Sequence, residues 1–160
     1  MGFQAGTGNY DYGSGNIAGT SITDNPVIVK YDSAGNALWA KTITDGTSFS
    51  SFKGVAVDGG DIYAVGYQMG TGNYNYGSGN IAGTSSRNPV IVKYDSSGNA
   101  QWAKTITAGT SFSQFDGVAV VGSNVYAVGY QFGTGNYNYG NGNIRGAGIA
   151  DNSVVVRYDR

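Results

Sequence analysis

The chain of 160 residues contains no cysteine, no histidine and no glutamate, and its one leucine is Leu38. Without cysteine it forms no disulfide and offers no thiolate to a metal or a substrate. Without histidine it lacks the commonest general base and metal ligand. Leucine and glutamate are strong helix formers, so their near absence predicts a chain with little or no helix.

Charge is scarce and evenly balanced. Nine Lys and Arg stand against ten Asp, the net charge is −1, and the charged residues are scattered singly. This pattern provides no basic surface for nucleic acid or anionic lipid. No apolar run approaches the ~20 residues of a membrane helix. We therefore expect neither a nucleic acid nor a membrane as a partner.

The motifs of enzymes and metal sites are missing as well. No motif gives a serine a basic partner, and the Gly-x-Gly patterns lie in strand-rich sequence rather than before a helix. No Asp-x-Asp-x-Asp-Gly calcium loop occurs. We expect no enzyme activity, no catalytic residue, no cofactor and no metal site.

The residues that are present favour strands and turns. Gly, Asn, Ser and Thr make up 70 of the 160 residues, and Val, Ile and Tyr supply most of the apolar bulk. The opening residues Met1 to Gly6 lack the basic start and apolar core of a signal peptide. We interpret the chain as a piece of a longer protein, natural or engineered, and its compartment stays open.

Internal repetition is the strongest feature of the sequence. Residues 26–44 and 89–107 are identical at 17 of 19 positions, at an offset of 63 residues. Partial copies lie at both ends, where Asn9-Tyr10-Asp11-Tyr12 matches residues 73–76 and residues 153–159 match residues 89–95. The chain therefore holds about two and a half units.

Each unit reads as four strands: Gly54–Val57, Ile62–Gln68, Val90–Asp95 and Ala100–Ile106. The residues between the third and fourth strands, Asp95-Ser96-Ser97-Gly98-Asn99, form a turn signal. The first two strands carry no charge on either face, with bulky residues on one side and small ones on the other. Sheets that are apolar on both faces must be covered on both sides, and the blades of a β-propeller meet that need.

Two hairpin motifs recur in the units. The first is Val55-Ala56-Val57-Asp58-Gly59-Gly60-Asp61-Ile62-Tyr63-Ala64-Val65-Gly66-Tyr67. The second is Val27-Ile28-Val29-Lys30-Tyr31-Asp32-Ser33-Ala34-Gly35-Asn36-Ala37-Leu38-Trp39. Together they resemble the bacterial β-propeller repeat known as the SBBP repeat. The resemblance covers the strands of every unit and implies blades of four-stranded antiparallel sheets, in a bacterial parent protein that is secreted or displayed at the cell surface. The family motif carries no catalytic residues, and the Tyr/Asn/Gly-rich insertion from Gly70 to about Asn88 departs from it.

This interpretation divides one repeat domain, 1–160, into a partial blade at 1–52, a complete blade at 53–106 and a partial blade at 107–160. Propellers close with about four to eight blades, so one chain leaves apolar sheet faces and strand edges uncovered. We expect a homo-oligomer that joins head to tail in a ring. About three chains would supply six blades, four would supply eight, and two sharing half-blades about five. A strand-exchanged extracellular filament is the alternative assembly.

The leading functional interpretation is a structural, self-assembling protein without catalytic activity. The alternative is a lectin-like, multivalent module for glycans or peptides, since Tyr and Asn next to Gly make adaptable binding loops. Its candidate ligand contacts are Asn9, Tyr10, Tyr12, Asn73, Tyr74, Tyr76, Asn136, Tyr137 and Tyr139. The competing interpretation is that Asn-Tyr-Asn-Tyr forms a short strand, both rings cover a neighbouring blade, and the next Gly-x-Gly-Asn makes a hairpin turn. Trp39 and Trp102 are expected to pack in or between the sheets.

Overall fold

A computed structural model describes all residues, 1–160. The chain is all-β: sixteen strands form three small antiparallel sheets and three separate hairpins, and none of the sheets closes on itself. The chain has no helix that is long and apolar enough to cross a membrane. The near absence of strong helix formers therefore led to the right fold class.

The three sheets follow one another along the chain. The first sheet has the strand order β1-β4-β5: β1 (Gly2–Ala5), β4 (Asp24–Tyr31) and β5 (Ala37–Lys41). The middle sheet has the order β6-β7-β10-β11: β6 (Ser50–Asp58), β7 (Asp61–Met69), β10 (Arg87–Tyr94) and β11 (Ala100–Thr105). The last sheet has the order β12-β13-β16: β12 (Ser113–Val121), β13 (Asn124–Phe132) and β16 (Asp151–Asp159).

A short hairpin is inserted before the strand β4, β10 or β16 of each sheet. The hairpin strands are β2 (Asn9–Asp11) with β3 (Asn16–Ala18), β8 (Asn73–Asn75) with β9 (Asn80–Ala82), and β14 (Asn136–Asn138) with β15 (Asn143–Arg145). We call these the first, second and third hairpins. Residues 63 or 64 positions apart occupy equivalent places in the three units, and we call them counterparts.

The middle sheet contains the four strands expected from the sequence, in that order along the sheet. Its first strand begins earlier than expected, at Ser50 rather than Gly54. A register shift between Phe52 and Gly54 lets the preceding residues continue their pairing with β7. The sequence signal stopped at Gly54 because the residues before it, Ser50 to Lys53, do not alternate as a strand does.

The turns between the long strands form as their side chains predict. Asp95 Oδ1 accepts hydrogen bonds from the backbone N–H groups of Ser97 and Asn99, each at 2.9 Å. Gly98 has a φ of +81°, which favours glycine. The bonds from the side chain and backbone of Asn99 are the main reason that the pKa of Asp95 is lowered. Asp32 makes the equivalent turn in the first sheet.

The sheets pack face to face through two interfaces with matching composition. Between the first and middle sheets, Ile28 and Ile43 pack with Phe52, Val92 and Tyr94. Between the middle and last sheets, the counterparts of these residues do the same: Ile91, Ile106, Phe115, Val156 and Tyr158. The same contact therefore occurs twice in one chain, one repeat apart.

Candidate functional site

The nine candidate ligand residues lie on the three hairpins. In each hairpin, an Asn and a Tyr belong to the first short strand and a second Tyr follows it. Gly13, Gly15 and their counterparts have positive φ angles and form the turns. The expectation of a short strand followed by a Gly-rich hairpin turn is confirmed.

The tyrosines of the second and third hairpins are buried. Tyr74, Tyr76, Tyr137 and Tyr139 are all at most 2% exposed. Tyr74 Oη donates to the Met69 carbonyl at 2.9 Å, and Tyr76 Oη donates to Gln68 Oε1 at 3.2 Å. Burial is the main reason that the pKa of Tyr76 is raised well above its usual value. These four rings therefore pack between sheets and face no open solvent.

The first hairpin differs because no other sheet packs against its tyrosines. Tyr10 is exposed and Tyr12 is half-buried. Their hydroxyl groups still find the equivalent partners, since Tyr10 Oη donates to the Ala5 carbonyl at 2.9 Å and Tyr12 Oη to Gln4 Oε1 at 3.3 Å. The hairpin is thus folded as its counterparts are, but its aromatic face is uncovered.

The three candidate asparagines are exposed at the start of their hairpins. Asn9, Asn73 and Asn136 reach solvent, whereas the four buried tyrosines next to the latter two do not. Of the nine candidates, these asparagines and the tyrosines of the first hairpin are the ones a ligand would reach. Ligand binding at the hairpins stays a prediction.

Sequence reasoning missed the residue that shapes each hairpin connection. Asn88 is buried; its Oδ1 accepts from the N–H groups of Thr84 and Ser85 at 2.9 Å, and its Nδ2 donates to the Gly70 carbonyl at 2.8 Å. Asn25 and Asn152 make the equivalent bonds. Each amide ties both ends of a long insertion together. The available signal was that an Asn stands two residues before the β-branched strand run in every unit.

The outer face of the first sheet is apolar and uncovered. A cavity of about 240 Å³ on this face is lined by residues that include Phe3, Tyr12, Val29 and Tyr31. Tyr31 is 50% exposed, whereas its counterpart Tyr94 in the middle sheet is 1% exposed. The difference arises because a preceding sheet covers Tyr94 and none covers Tyr31.

The outer face of the last sheet, at the other end of the stack of sheets, is also uncovered. Val128 is 42% exposed and Val155 is 64% exposed, whereas their counterparts Val65 and Ile91 are fully buried against the next sheet. The two outer faces of the chain therefore correspond to the two sides of one internal interface between sheets. We call these the first open face, on the first sheet, and the last open face, on the last sheet.

Missing strands expose further apolar side chains. The first sheet has no counterpart of β6 and only four residues in place of β7. As a result Val57 of β6 is 66% exposed, whereas Val120, on the equivalent strand of the last sheet, packs against the middle sheet. The last sheet lacks the opposite strand, the counterpart of β11.

An apolar cleft marks the place of that missing fourth strand. It has a volume of about 550 Å³, and Lys104, Ile106, Tyr139 and Gly140 are among its lining residues. The counterpart cleft, one unit earlier, is about 190 Å³, and there the turn residues Gly98 to Ala100 form part of its wall. The cleft is larger in the last unit because no such turn fills it.

Ion pairs connect the β6–β7 turn of the middle sheet to β10 of the same sheet and to the C-terminal residue Arg160. Lys93 Nζ lies 3.0 Å from Asp61 Oδ2, and Arg160 pairs with both Asp58 and Asp61. The hydrogen bond from Lys93 is the main reason that the pKa of Asp61 is lowered. No group of three or more Asp, Glu, His or Cys side chains is arranged to hold a metal ion.

No protein-family model and no curated protein matches this chain in sequence. The fold defines an all-β chain of stacked antiparallel sheets with an uncovered apolar face at each end. The functional argument therefore starts from these two faces.

Proposed function

We propose that the protein is a self-associating structural module without catalytic activity. Its copies join head to tail through the last sheet of one copy and the first sheet of the next, an arrangement that covers both open faces. The assembly is a homo-oligomeric ring whose sheets act as the blades of a propeller of the SBBP type.

The observation that carries the proposal is the difference between counterparts. Tyr31, Val128 and Val155 are exposed, while the same positions in the middle sheet are buried. Removing apolar area from water is favourable by about 25 cal/mol per Å², and contiguous apolar surface of this kind is typical of interaction sites. Since the two open faces correspond to opposite sides of one internal interface, a second copy offers the matching surface.

A ring is favoured over isologous pairing because the two open faces differ from each other. An interface between different faces is heterologous, and it generates either a closed ring or an open filament. Repetition of one heterologous interface with a constant rotation is what closes a ring such as a propeller.

The test is the mass of the purified protein by native mass spectrometry and light scattering over a concentration series. We expect a discrete oligomer that dissociates on dilution. Tyr31→Ser and Val128→Lys should each reduce assembly at least tenfold and leave the fold of the single chain unchanged, because both side chains are exposed in it. Ile149→Lys changes an equally apolar side chain that is 85% exposed outside both faces, and it is the matched control. A folded monomer at all concentrations would refute the proposal.

Mixing the two variants tests the head-to-tail arrangement. Tyr31→Ser retains an intact last open face, and Val128→Lys retains an intact first open face. A head-to-tail interface predicts that the mixture forms one-to-one heterodimers that do not grow further. An isologous interface predicts no heterodimer in the mixture, only homodimers of the variant whose pairing face is intact.

Multivalent binding of glycans or peptides is the second candidate function. It is favoured by the exposed Asn9, Asn73 and Asn136, which repeat at the same place on each hairpin. A glycan array with the assembled protein tests it, and Asn73→Ala combined with Asn136→Ala should reduce any signal severalfold. An array without signal would remove glycans from consideration.

A further inference from the structure

We propose that the last sheet accepts the β4–β5 hairpin of a second copy in place of its own strand β16. This inference rests on the proposed self-association and specifies which strands carry it. The result is a four-stranded sheet with the order β12-β13 from one copy and β4-β5 from the next.

The register of the strands makes β4 and β16 interchangeable. In the middle sheet β10 pairs with β7 so that Ile91 lies opposite Val65. In the last sheet β16 pairs with β13 in the same register, with Val155 opposite Val128. The counterpart of both Ile91 and Val155 is Ile28 of β4, so β4 of a second copy would place Ile28 opposite Val128.

The side chains that β16 contributes are also present on β4. Val154, Val156 and Tyr158 of β16 pack against the middle sheet, and Val27, Val29 and Tyr31 stand at the equivalent positions of β4. Asn152, which ties the third hairpin together, is matched by Asn25. The exchange therefore replaces each buried contact of β16 with one of the same chemistry.

The second copy adds what β16 lacks, the turn and the fourth strand. In the first unit, Trp39 Nε1 and Lys30 Nζ donate to the carbonyl of Ser96 at 3.1 and 2.9 Å, so the β10–β11 turn rests on Trp39. Trp102 and Lys93 are the counterparts of these donors, and the Asp32–Asn36 turn of a second copy would bring the Ser33 carbonyl to them. The same turn would fill the 550 Å³ cleft.

Open space beside Gly140 supports this placement. A Cβ built on Gly77 would lie 3.3 Å from the Cβ of Ala100. A Cβ built on Gly140, the counterpart of Gly77, meets nothing within 4 Å. In the exchanged sheet, Ala37 of the second copy takes the place of Ala100 beside Gly140.

The exchange also covers the inner strands of the second copy. Its β6 gains β12 of the first copy as a neighbour, which covers the exposed Val55 and Val57. The strands that are released are short or terminal, namely β1 with its hairpin in one copy and β16 in the other. Ala150 of one copy is then followed in space by Asp24 of the next, which continues the repeat across the two chains.

A reversible lock on β16 tests the proposal. Val128 and Val155 are directly opposed across an antiparallel pair, a separation that a disulfide can bridge, and the chain has no other cysteine. In Val128→Cys/Val155→Cys, the oxidised protein keeps β16 in place and should lose at least 90% of the oligomer in native mass spectra. Both positions lie on the last open face, so the reduced form of the same variant is the reference, and reduction should raise the amount of oligomer at least tenfold over the oxidised form.

The matched control is Val65→Cys/Ile91→Cys, which locks the same pair of positions in the middle sheet. Its assembly should be the same oxidised and reduced. An oligomer that persists in the oxidised Val128/Val155 variant would overturn the exchange while self-association stands. A monomer in both redox states, and in the unmodified chain, would instead overturn self-association itself.

Capture between chains provides direct evidence of the exchanged pair. A mixture of Val128→Cys and Ile28→Cys chains should form a covalent heterodimer on mild oxidation. A mixture of Val128→Cys and Ser33→Cys should form at least tenfold less, although Ser33 is more exposed than Ile28, because the exchanged register places it beyond the end of β13. Equal yields in the two mixtures would overturn the register.

Discussion

The middle sheet and the two end sheets are built from nearly the same sequence but are covered differently. Tyr94 and Tyr31 follow identical strand residues, Pro-Val-Ile-Val-Lys, and yet one is buried and the other half-exposed. Local sequence therefore determines the strand and its turn, while the neighbouring sheet determines burial. The comparison shows that the burial of a repeat position depends on the sheet that covers it, and pairs of counterpart substitutions can measure how much that burial stabilises the fold.

Truncation of the two tyrosines should give the largest difference. Tyr94→Ala removes a fully buried ring that contacts Trp39 across the sheets, at 6.4 Å between ring centroids, and we expect a loss of about 4 kcal/mol in unfolding free energy. Tyr31→Ala should cost less than about 1 kcal/mol in the dissociated chain. Urea unfolding at low protein concentration measures both. Equal costs would mean that the first sheet is covered in solution even at high dilution.

Two counterpart glycines allow the same comparison of a covered and an uncovered sheet at positions of close backbone packing. A Cβ on Gly66 would lie 1.9 Å from the carbonyl oxygen of Ser51 on β6, whereas a Cβ on its counterpart Gly2 meets nothing within 4 Å. Gly66→Ala should therefore force β6 away from β7 and cost about 3 kcal/mol. Gly2→Ala should be nearly neutral, because the first sheet has no strand in the place of β6. Thermal unfolding of the two variants checks this, and a large effect at Gly2 would contradict it.

The long strands and their turns could be predicted from the sequence because their signals are local. The β-branched run from Val90 to Val92 and the Asp95–Gly98 turn need no distant partner to be recognised. The burial of Tyr74 could only be posed as one of two alternatives, since it depends on Ile43 and the linker of the preceding unit. Asn88 was missed for a related reason: in a chain with 15 asparagines, only the folded insertion shows which amide is enclosed by carbonyl and N–H groups.

The buried asparagine should have an intermediate effect. Asn88→Ala leaves the carbonyls of Gly70 and Ser85 and two N–H groups without their partner, and buried unpaired groups are costly, so we expect a loss of about 2 kcal/mol. Asn73→Ala, on the exposed start of the same hairpin, should cost less than about 0.5 kcal/mol. Hydrogen exchange of the second hairpin should accelerate in the first variant alone. Unchanged protection there would show that the insertion folds without this amide.

The ion pair at Asp61 should have the smallest effect, because its carboxylate is close to solvent. The pKa of Asp61 is lowered and that of Lys93 is raised by their mutual hydrogen bond. A carboxyl group whose pKa is lowered by folding stabilises the fold at pH values above its pKa in the unfolded chain. This stabilisation is lost as the pH falls through the pKa of the folded state. The raised pKa of Lys93 acts in the opposite direction, and its stabilisation is lost as the pH rises through the alkaline range. Asp61→Asn, which introduces the residue of the counterpart Asn124, should cost about 0.5 kcal/mol at neutral pH and low salt, and this cost should shrink as the pH falls through the acidic range and as salt is added. A cost that persisted in acid would point to packing of the β6–β7 turn rather than to charge.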